Sequence, residues 1–473
     1  MKAFKSLVFF ALLLLAVSCC NRGNYEYLLS KEKSVSKQWI DDDKKIEVSG
    51  VLNVVDSVKI ALQFNQELKA VMQEVTVAKG REIEVVSHLF PKVVALGNYS
   101  HLDERPSLIF AGQKYPLGYL DNYSVDVQVR QPIFHGGALR AQAYIAGLMR
   151  FMTDEKVRGQ TQKTIFETIK TYYDILLTKN LVYVYQQALL SAQKHLKIAE
   201  NRRTVGMASQ YEVLRFEVEM SNIEAEIIRQ KNRLSLSEKS FLKTLGVSLQ
   251  SQFDLQNVFA FIPEQINYDK ALMQAFDNRF DLRLCILSVE NQKKMLTIAK
   301  SEFLPKVNGV FSHKWGRPDP HTSTLDTWGK QWTAFLSFEF PIFESGKRIG
   351  SVMKERASLK EKELQLEDMR QTIALNIEQA ILSLEDAQKF VLSQMKDMTR
   401  AKEGLRLAEL NYKEGLATEV EVTDALSSMT HSESLYYQAI YQHLLSKLNL
   451  QMALGTLGIT TVENQQREEP DER

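Results

Sequence analysis

Two spacings of apolar residues alternate along this chain. In the second half, Ile377, Leu384, Val391, Met398, Leu405 and Tyr412 recur every seven residues. Ala380, Ala387, Ala401 and Ala408 hold the companion seam, which Gln394 interrupts. A period of seven kept over five heptads predicts helices packed side by side, and the small residues let neighbours approach closely. Ile175, Val182, Leu189 and Leu196 repeat the pattern more loosely in the first half. Two short windows carry a period of two instead. Val125, Val127 and Val129 alternate with Ser124, Asp126, Gln128 and Arg130. Trp332, Ala334, Leu336, Phe338 and Phe340 alternate with Gln331, Thr333, Ser337 and Glu339, Phe335 being the exception. That spacing predicts strands with one apolar and one wet face. Weaker partner strands are expected at 92–100 and 306–313. Each strand is about ten residues, the length of a tilted strand crossing a bilayer (~9–11). Trp315, Trp328 and Trp332 cluster at the ends of the second pair, as interfacial aromatics do.

The prolines divide the chain in the same way. Eight of the ten lie in the windows 90–133 and 303–343, and the tracts 133–262 and 342–469 have none. Proline breaks a helix interior at a cost of ~3 kcal/mol, so these tracts are where very long helices are allowed. The stretch from His135 to Arg203 would reach ~100 Å as one helix. The two tracts also resemble each other. Leu89-Phe90-Pro91-Lys92-Val93 answers Phe303-Leu304-Pro305-Lys306-Val307, and Pro132-Ile133-Phe134 answers Pro341-Ile342-Phe343. At an offset of 209, Ala199, Gly206, Glu212 and Val213 answer Ala408, Gly415, Glu421 and Val422. The chain is thus a duplicated half, each copy reading helix, strand, loop, strand, very long helix, turn, long return helix. Its expected divisions are 51–260 and 261–460. Four strands in two pairs cannot close a barrel, and open sheet edges are not tolerated in lipid. A membrane reading therefore requires several chains to share one barrel, while a soluble coiled-coil rod is the plainer alternative.

The N-terminus sets the compartment. Lys2 and Lys5 precede an apolar run from Leu7 to Val17 and then Ser18-Cys19-Cys20. A basic start followed by a short apolar segment reads as a secretory signal over residues 1–18, too short to span a bilayer. Residues 19–50 read as an N-terminus and polar linker, and 461–473 as a disordered tail. Net charge is +1, from 59 Lys and Arg against 58 Asp and Glu, which gives no footing for nucleic acid. Three cysteines make no disulfide framework. Cys285 falls on a helical pattern and is expected to be buried. Scattered histidines and the lack of phosphate-loop or nucleophile-elbow motifs leave no expected metal or catalytic residue.

Taken together, the two Pro-Ile-Phe turns with their glycines, Phe134-His135-Gly136-Gly137 and Phe343-Glu344-Ser345-Gly346, and the two tips, 203–209 and 412–418, resemble the TolC-type outer-membrane efflux proteins. The likeness covers about residues 50–460. Leu15-Ala16-Val17-Ser18-Cys19 resembles a lipoprotein signal, which points to the lipoprotein branch with a covalent lipid on Cys19, ahead of Cys20. The resemblance implies a mainly α fold with a membrane β-barrel. Three chains would give four strands each to one barrel, and their helices would continue as a periplasmic α-barrel. The expected function is a passive outer-membrane exit duct. It would be fed by an inner-membrane pump through a periplasmic adaptor that meets the tips at Gly206 and Gly415. Gly136, Gly137 and Gly346 would serve the strand-to-helix turns. Glu421 and Asp424, three apart on one helical face, match acidic positions of the family's periplasmic constriction. Glu212 is the first-half counterpart, with Arg215 in place of the second acid. Tyr412 matches a tip tyrosine and is a candidate closing contact. Ala417 stands where a basic residue can occur, which leaves any tyrosine–base–acid latch incomplete. The competing function is a periplasmic adaptor lipoprotein, which predicts a single coiled-coil hairpin and no amphipathic strands.

Overall fold

The computed structural model describes residues 31–32, 47–322 and 324–461. The expected signal peptide, Cys19, Cys20 and nearly all of the linker and tail lie outside the described residues. The linker ends sooner than expected. The Val48 N–H donates to Ser251 Oγ at 3.2 Å, and strand β1 (Gly50–Leu52) pairs in parallel with β6 (Phe253–Leu255).

The duplication is visible in helix lengths. The first half contains α1 (Val54–Phe64, 11 residues), α2 (Gln66–Ser87, 22), α3 (Ala138–Thr204, 67) and α4 (Gln210–Leu245, 36). The second contains α5 (Tyr268–Asn278, 11), α6 (Phe280–Ser301, 22), α7 (Lys347–Lys413, 67) and α8 (Glu419–Leu454, 36). Side-chain caps start several of them. Asn53, Asn65 and Asn267 accept the N–H of Asp56, Leu68 and Lys270, satisfying donors that a helix start leaves orphaned. With no proline inside, α3 and α7 run unbroken for ~100 Å each.

The two expected strand pairs join into one antiparallel sheet, β2 (Lys92–His101), β5 (Asp121–His135), β7 (Lys306–Arg317) and β8 (Gly329–Glu339), in that order. The central pairing runs from Tyr123↔Arg317 to His135↔Lys306, with a bulge between Pro132 and Phe134. Proline has no N–H for the ladder, so the bulge falls where pairing must lapse. The first Pro-Ile-Phe is therefore strand, whereas Pro341-Ile342-Phe343 follows an edge strand and stays unpaired. A small hairpin in the first loop, β3 (Ser107–Phe110) and β4 (Gln113–Pro116), was not foreseen. Its turn, Ala111-Gly112, takes positive φ at both residues (50° and 80°), as a tight two-residue hairpin requires.

Register shows why the alternation matters. Val93, Val129, Phe311 and Ala334 lie in one cross-strand row, and Ala95, Val127, His313 and Trp332 in the next. The other face carries Leu96, Asp126, Lys314 and Gln331 in one row, polar in all but the β2 member, and Ser312 Oγ donates to Asp126 Oδ1 at 2.6 Å. One face is a continuous apolar band around the sheet. The main core lies far along the helices, where α1, α3, α4, β1 and β6 meet at Tyr172, Ile175, Phe241, Leu242 and Leu245. The Tyr172 hydroxyl donates to the carbonyls of Leu52 (3.1 Å) and Gln256 (2.7 Å), tying β1 and the chain after β6 to α3. A second core holds Ile377 and Leu384 of the heptad seam, with Ile373 and Ile381, against Ala271 and Ala275 of α5. Cys285 of α6 is half-exposed, not buried, and partial burial pushes its thiol pKa up.

Candidate functional site

Both long helices turn back at the end remote from the sheet, and the two tips share a design. Gly206 and Gly415 each take φ 78°, where a side chain would be strained. In the first tip the N–H groups of Gly206 and Met207 donate to the carbonyls of Arg203 (3.0 Å) and Arg202 (2.8 Å). In the second, Gly415 and Leu416 donate to Tyr412 (3.1 Å) and Asn411 (2.8 Å). Ser209 starts α4 by accepting the Glu212 N–H at 3.2 Å. Thr418 starts α8 with a full capping box, its Oγ1 lying 3.1 Å from Glu421 Oε1.

Glu421 and Asp424 lie on the exposed face of α8, opposite buried Val422, Thr423 and Leu426. Glu212 is half-buried on α4. Arg215 Nη1 sits 3.7 Å from Glu419 Oε1, a cross-hairpin pair that the sequence reading did not find. Beside it, burial raises the pKa of Glu219 above the carboxylate norm, Arg215 opposes this and Asp424 adds to it. The acids of α8 thus face one arginine and one reluctant carboxyl of α4.

Tyr412 is placed differently from a free closing contact. It is 3% exposed, in a cluster with Ala199, Val213, Phe216 and Val422 that joins the two hairpins of the same chain. A basic side chain does lie beside Tyr412, supplied not by residue 417 but by Arg202 of the other hairpin. Its Nη1 donates to the Tyr412 carbonyl at 2.9 Å, and its guanidinium lies 4.8 Å from the phenol ring. A cation at that point satisfies a carbonyl at a helix end and stacks on an aromatic face. Burial raises the phenol pKa against the pull of Arg202, and Glu212 and Glu419 push the same way as burial. The Phe216 ring stands edge-on to Tyr412 and stacks on His195, both at 6.0 Å. His195 is 4% exposed, with Nε2 3.1 Å from Glu409 Oε1. Burial lowers its pKa, and Glu409 opposes that shift. Neither Arg202 nor His195 stands out in the sequence. The available signal was the contrast between repeats, since their counterparts are Asn411 and Gly404.

At the opposite end, Gly136 (φ 60°) and Gly137 (φ 86°) make the first strand-to-helix turn. The second uses Ser345 (φ 47°) and Gly346 (φ 84°). Among the described residues no helix is long and apolar enough to cross a membrane, and no group of His, Cys, Asp or Glu could hold a metal ion.

An amphipathic sheet with two unpaired borders, set on a double hairpin of 67-residue helices, defines a channel-forming chain. The adaptor alternative required one hairpin and no such sheet. The profile of the outer membrane efflux protein family matches residues 58–247 and 271–456, once for each repeat, and the chain belongs to that family. Outer membrane protein TolC of Escherichia coli K12 is 22% identical over 371 residues, 73% of each chain. In fold, the chain is similar to the Campylobacter jejuni CmeC outer membrane channel (TM-score 0.75, 15% identity, 92% of each chain). It is also similar to CusC (TM-score 0.75, 15% identity), over 87% of this chain and 94% of that one. The protein is an outer-membrane efflux channel of the kind that serves tripartite pumps.

Proposed function

We propose that three copies of this chain pool their sheets into one twelve-stranded barrel in the outer membrane. Their helices continue it into the periplasm as a single conduit. The observation that carries this reading is the sheet itself: one apolar face, one polar face and two bare edges, β2 and β8, which hydrocarbon would not tolerate. Closing the sheet on other copies removes the edges and leaves the apolar band facing lipid. Nothing in the duct needs to react with cargo, and the driving energy comes from an inner-membrane pump coupled through a periplasmic adaptor at the tips around Gly206 and Gly415. A lipid on Cys19, or on Cys20, would hold the N-terminus at the membrane.

Glu421 and Asp424, exposed next to the tip, would form two acidic rings in a trimer. Rings of carboxylates favour cations and repel one another until the tips part. The protein should fractionate with the outer membrane as a trimer and conduct ions in planar bilayers. Glu421→Gln with Asp424→Asn should cut cation preference severalfold while leaving trimer yield unchanged. Unaltered selectivity would remove these acids from the constriction, and a monomer that stays in the soluble fraction would remove the channel reading altogether.

A further inference from the structure

The duplication fixes the one strand pairing that a single chain cannot display. The β5 segment recurs 209 positions later as the β8 segment (Pro132 and, just past β8, Pro341), and the β7 segment recurs 214 positions earlier as the β2 segment (Pro305 and Pro91, each just before its strand). The same shifts carry the β2·β5 ladder onto the β7·β8 ladder without error. Lys92↔Arg130 becomes Lys306↔Glu339, and Tyr99↔Tyr123 becomes His313↔Trp332, both as observed. The sheet obeys its own repeat to the residue.

Carrying the β5·β7 ladder through these shifts gives a β8·β2 ladder between copies. From it we infer the register of the subunit seam: Leu336 opposite Tyr99 of the next copy, Ser337 opposite Asn98, Phe338 opposite Gly97 and Phe340 opposite Ala95. Past the bulge, Phe343 stands opposite Val93, and Glu344 opposite Lys92. This deepens the trimer reading and rests on it.

Three independent features agree with this register. The apolar faces of β8 and β2 align, so the band of one chain runs on into the next; a slip of one residue would set Leu336 and Phe338 against the polar face. Phe338 covers Gly97, a strand glycine with no side chain of its own. Glu344, already 3.0 Å from Arg348 Nε in its own chain, meets a further residue of opposite charge in Lys92. The same symmetry tells what covers the bare helices. Within the chain α3 packs on α6, and the Gly136 turn presses on Ser301 and Leu304. Carried through the repeat, α7 of one copy packs on α2 of the next, with the Ser345 turn on Ser87 and Phe90. Both surfaces are unpartnered in the single chain. Ile342 is 86% and Phe343 83% exposed, and Ile349 and Met353 of α7 and Ile83 and Phe90 at the α2 end are also exposed. α3 has 22 buried residues and α7, of equal length, has 7. The occupant of this groove is a second copy of the chain.

The test is disulfide mapping on the full-length protein in outer membranes, in a Cys285→Ala background. Directly opposed strand residues have Cα atoms ~4.5–5.5 Å apart, within disulfide reach. Asn98→Cys with Ser337→Cys should yield covalent dimers and trimers on mild oxidation. Ser100→Cys with Ser337→Cys, two residues out of register, should yield at least fivefold less. Each variant with one added cysteine must reach the membrane as a trimer by native mass and stay unlinked, which also controls for the N-terminal Cys19 and Cys20, and Val93→Cys with Phe343→Cys gives a second in-register pair should one strand site misfold. Preferential linking of the slipped pair, or intact trimers that link at neither in-register pair, overturns the register while the trimer stands. Monomers by native mass would overturn the trimer first.

Discussion

The two strand-to-helix junctions are built from the same segment of the repeat yet differ in what surrounds them. The first turn, Gly136-Gly137, is packed inside the chain: a Cβ on Gly136 would lie 2.9 Å from the Ser301 carbonyl and 3.0 Å from Leu304 Cβ. The second turn has Ser345 at the corresponding place, with a side chain held at φ 47°. Gly346 and its counterpart Gly137 both have open space around them, so the contrast lies at Gly136 and Ser345 alone. One repeat's turn is packed by its own chain, and the proposed trimer would pack the other with a neighbour. The lesson is that identical element lengths do not imply identical surroundings; position in the assembly selects which glycines are irreplaceable.

The largest expected effect follows directly. Gly136→Ala adds left-handed strain of ~1–2 kcal/mol to a contact that must yield. It should lower the amount of assembled protein in the outer membrane severalfold. Gly346→Ala carries the strain alone, and its loss should be clearly smaller. Gly137→Ala, equally open, should behave like Gly346→Ala; equal yields for all three variants would show that the contacts at Gly136 add nothing to the strain.

The tips repeat the contrast at the other end. Phe216 of the first hairpin stands between His195 and Tyr412, whereas its counterpart in the second is Ala425. Truncating a fully buried phenylalanine costs ~3–5 kcal/mol. Phe216→Ala should therefore speed hydrogen exchange around residues 195–216 and 408–422 together, because one ring joins both hairpins. A rise confined to α4 would show that the hairpins are not coupled through this cluster.

Much of this was legible in the sequence. The heptad seam and the proline-free tracts located α3 and α7 because a long helix needs a sustained stripe and no breaker. The valine alternation found β5 because one face of that strand is apolar from Tyr123 to Val129. What could not be read is where partners in space, not neighbours in sequence, decide the outcome. Tyr412 belongs to the heptad list, yet its burial comes from Phe216 and Arg202 of the other hairpin. Pro341-Ile342-Phe343 repeats Pro132-Ile133-Phe134 in sequence, but only the first has a strand beside it. Cys285 looked like a core residue because its helix is periodic, and its exposure depends on which neighbours α6 has.

His195 gives a smaller, pH-dependent difference. Burial lowers its pKa, so the folded junction keeps the ring neutral when the unfolded chain, near 6.5, has already taken a proton. Stability from this site is present above that pH and declines as pH falls through the window below it. Glu409 of α7 moderates the loss, and Lys194 on the histidine's own helix adds to it. Protection factors of residues 192–199 should drop from pH 7.5 to 5.5, by at most about tenfold, the limit set by an unfolded pKa near 6.5. His195→Gln should flatten that dependence, and the region around Gly404, the counterpart, should show none.

The finest distinction concerns Ser345. A left-handed non-glycine residue costs ~1–2 kcal/mol, and glycine removes that cost while giving some back as unfolded-chain entropy. If the seam copied the inner junction, the Ser345 Cβ would press on the next copy's Ser87 and Phe90, as a side chain on Gly136 would press on Ser301 and Leu304. With the turn still seated on Ser87 and Phe90, Phe90, which is exposed in the single chain, would turn aside for that side chain. Ser345→Gly should relieve the strain without losing a contact and raise the trimer's melting temperature by ~2–4 °C, the scale of about 1 kcal/mol for a large domain. A fall in melting temperature would mean that the hydroxyl itself bonds across the seam, and that the serine is retained because it holds two copies together where Gly136 holds only one.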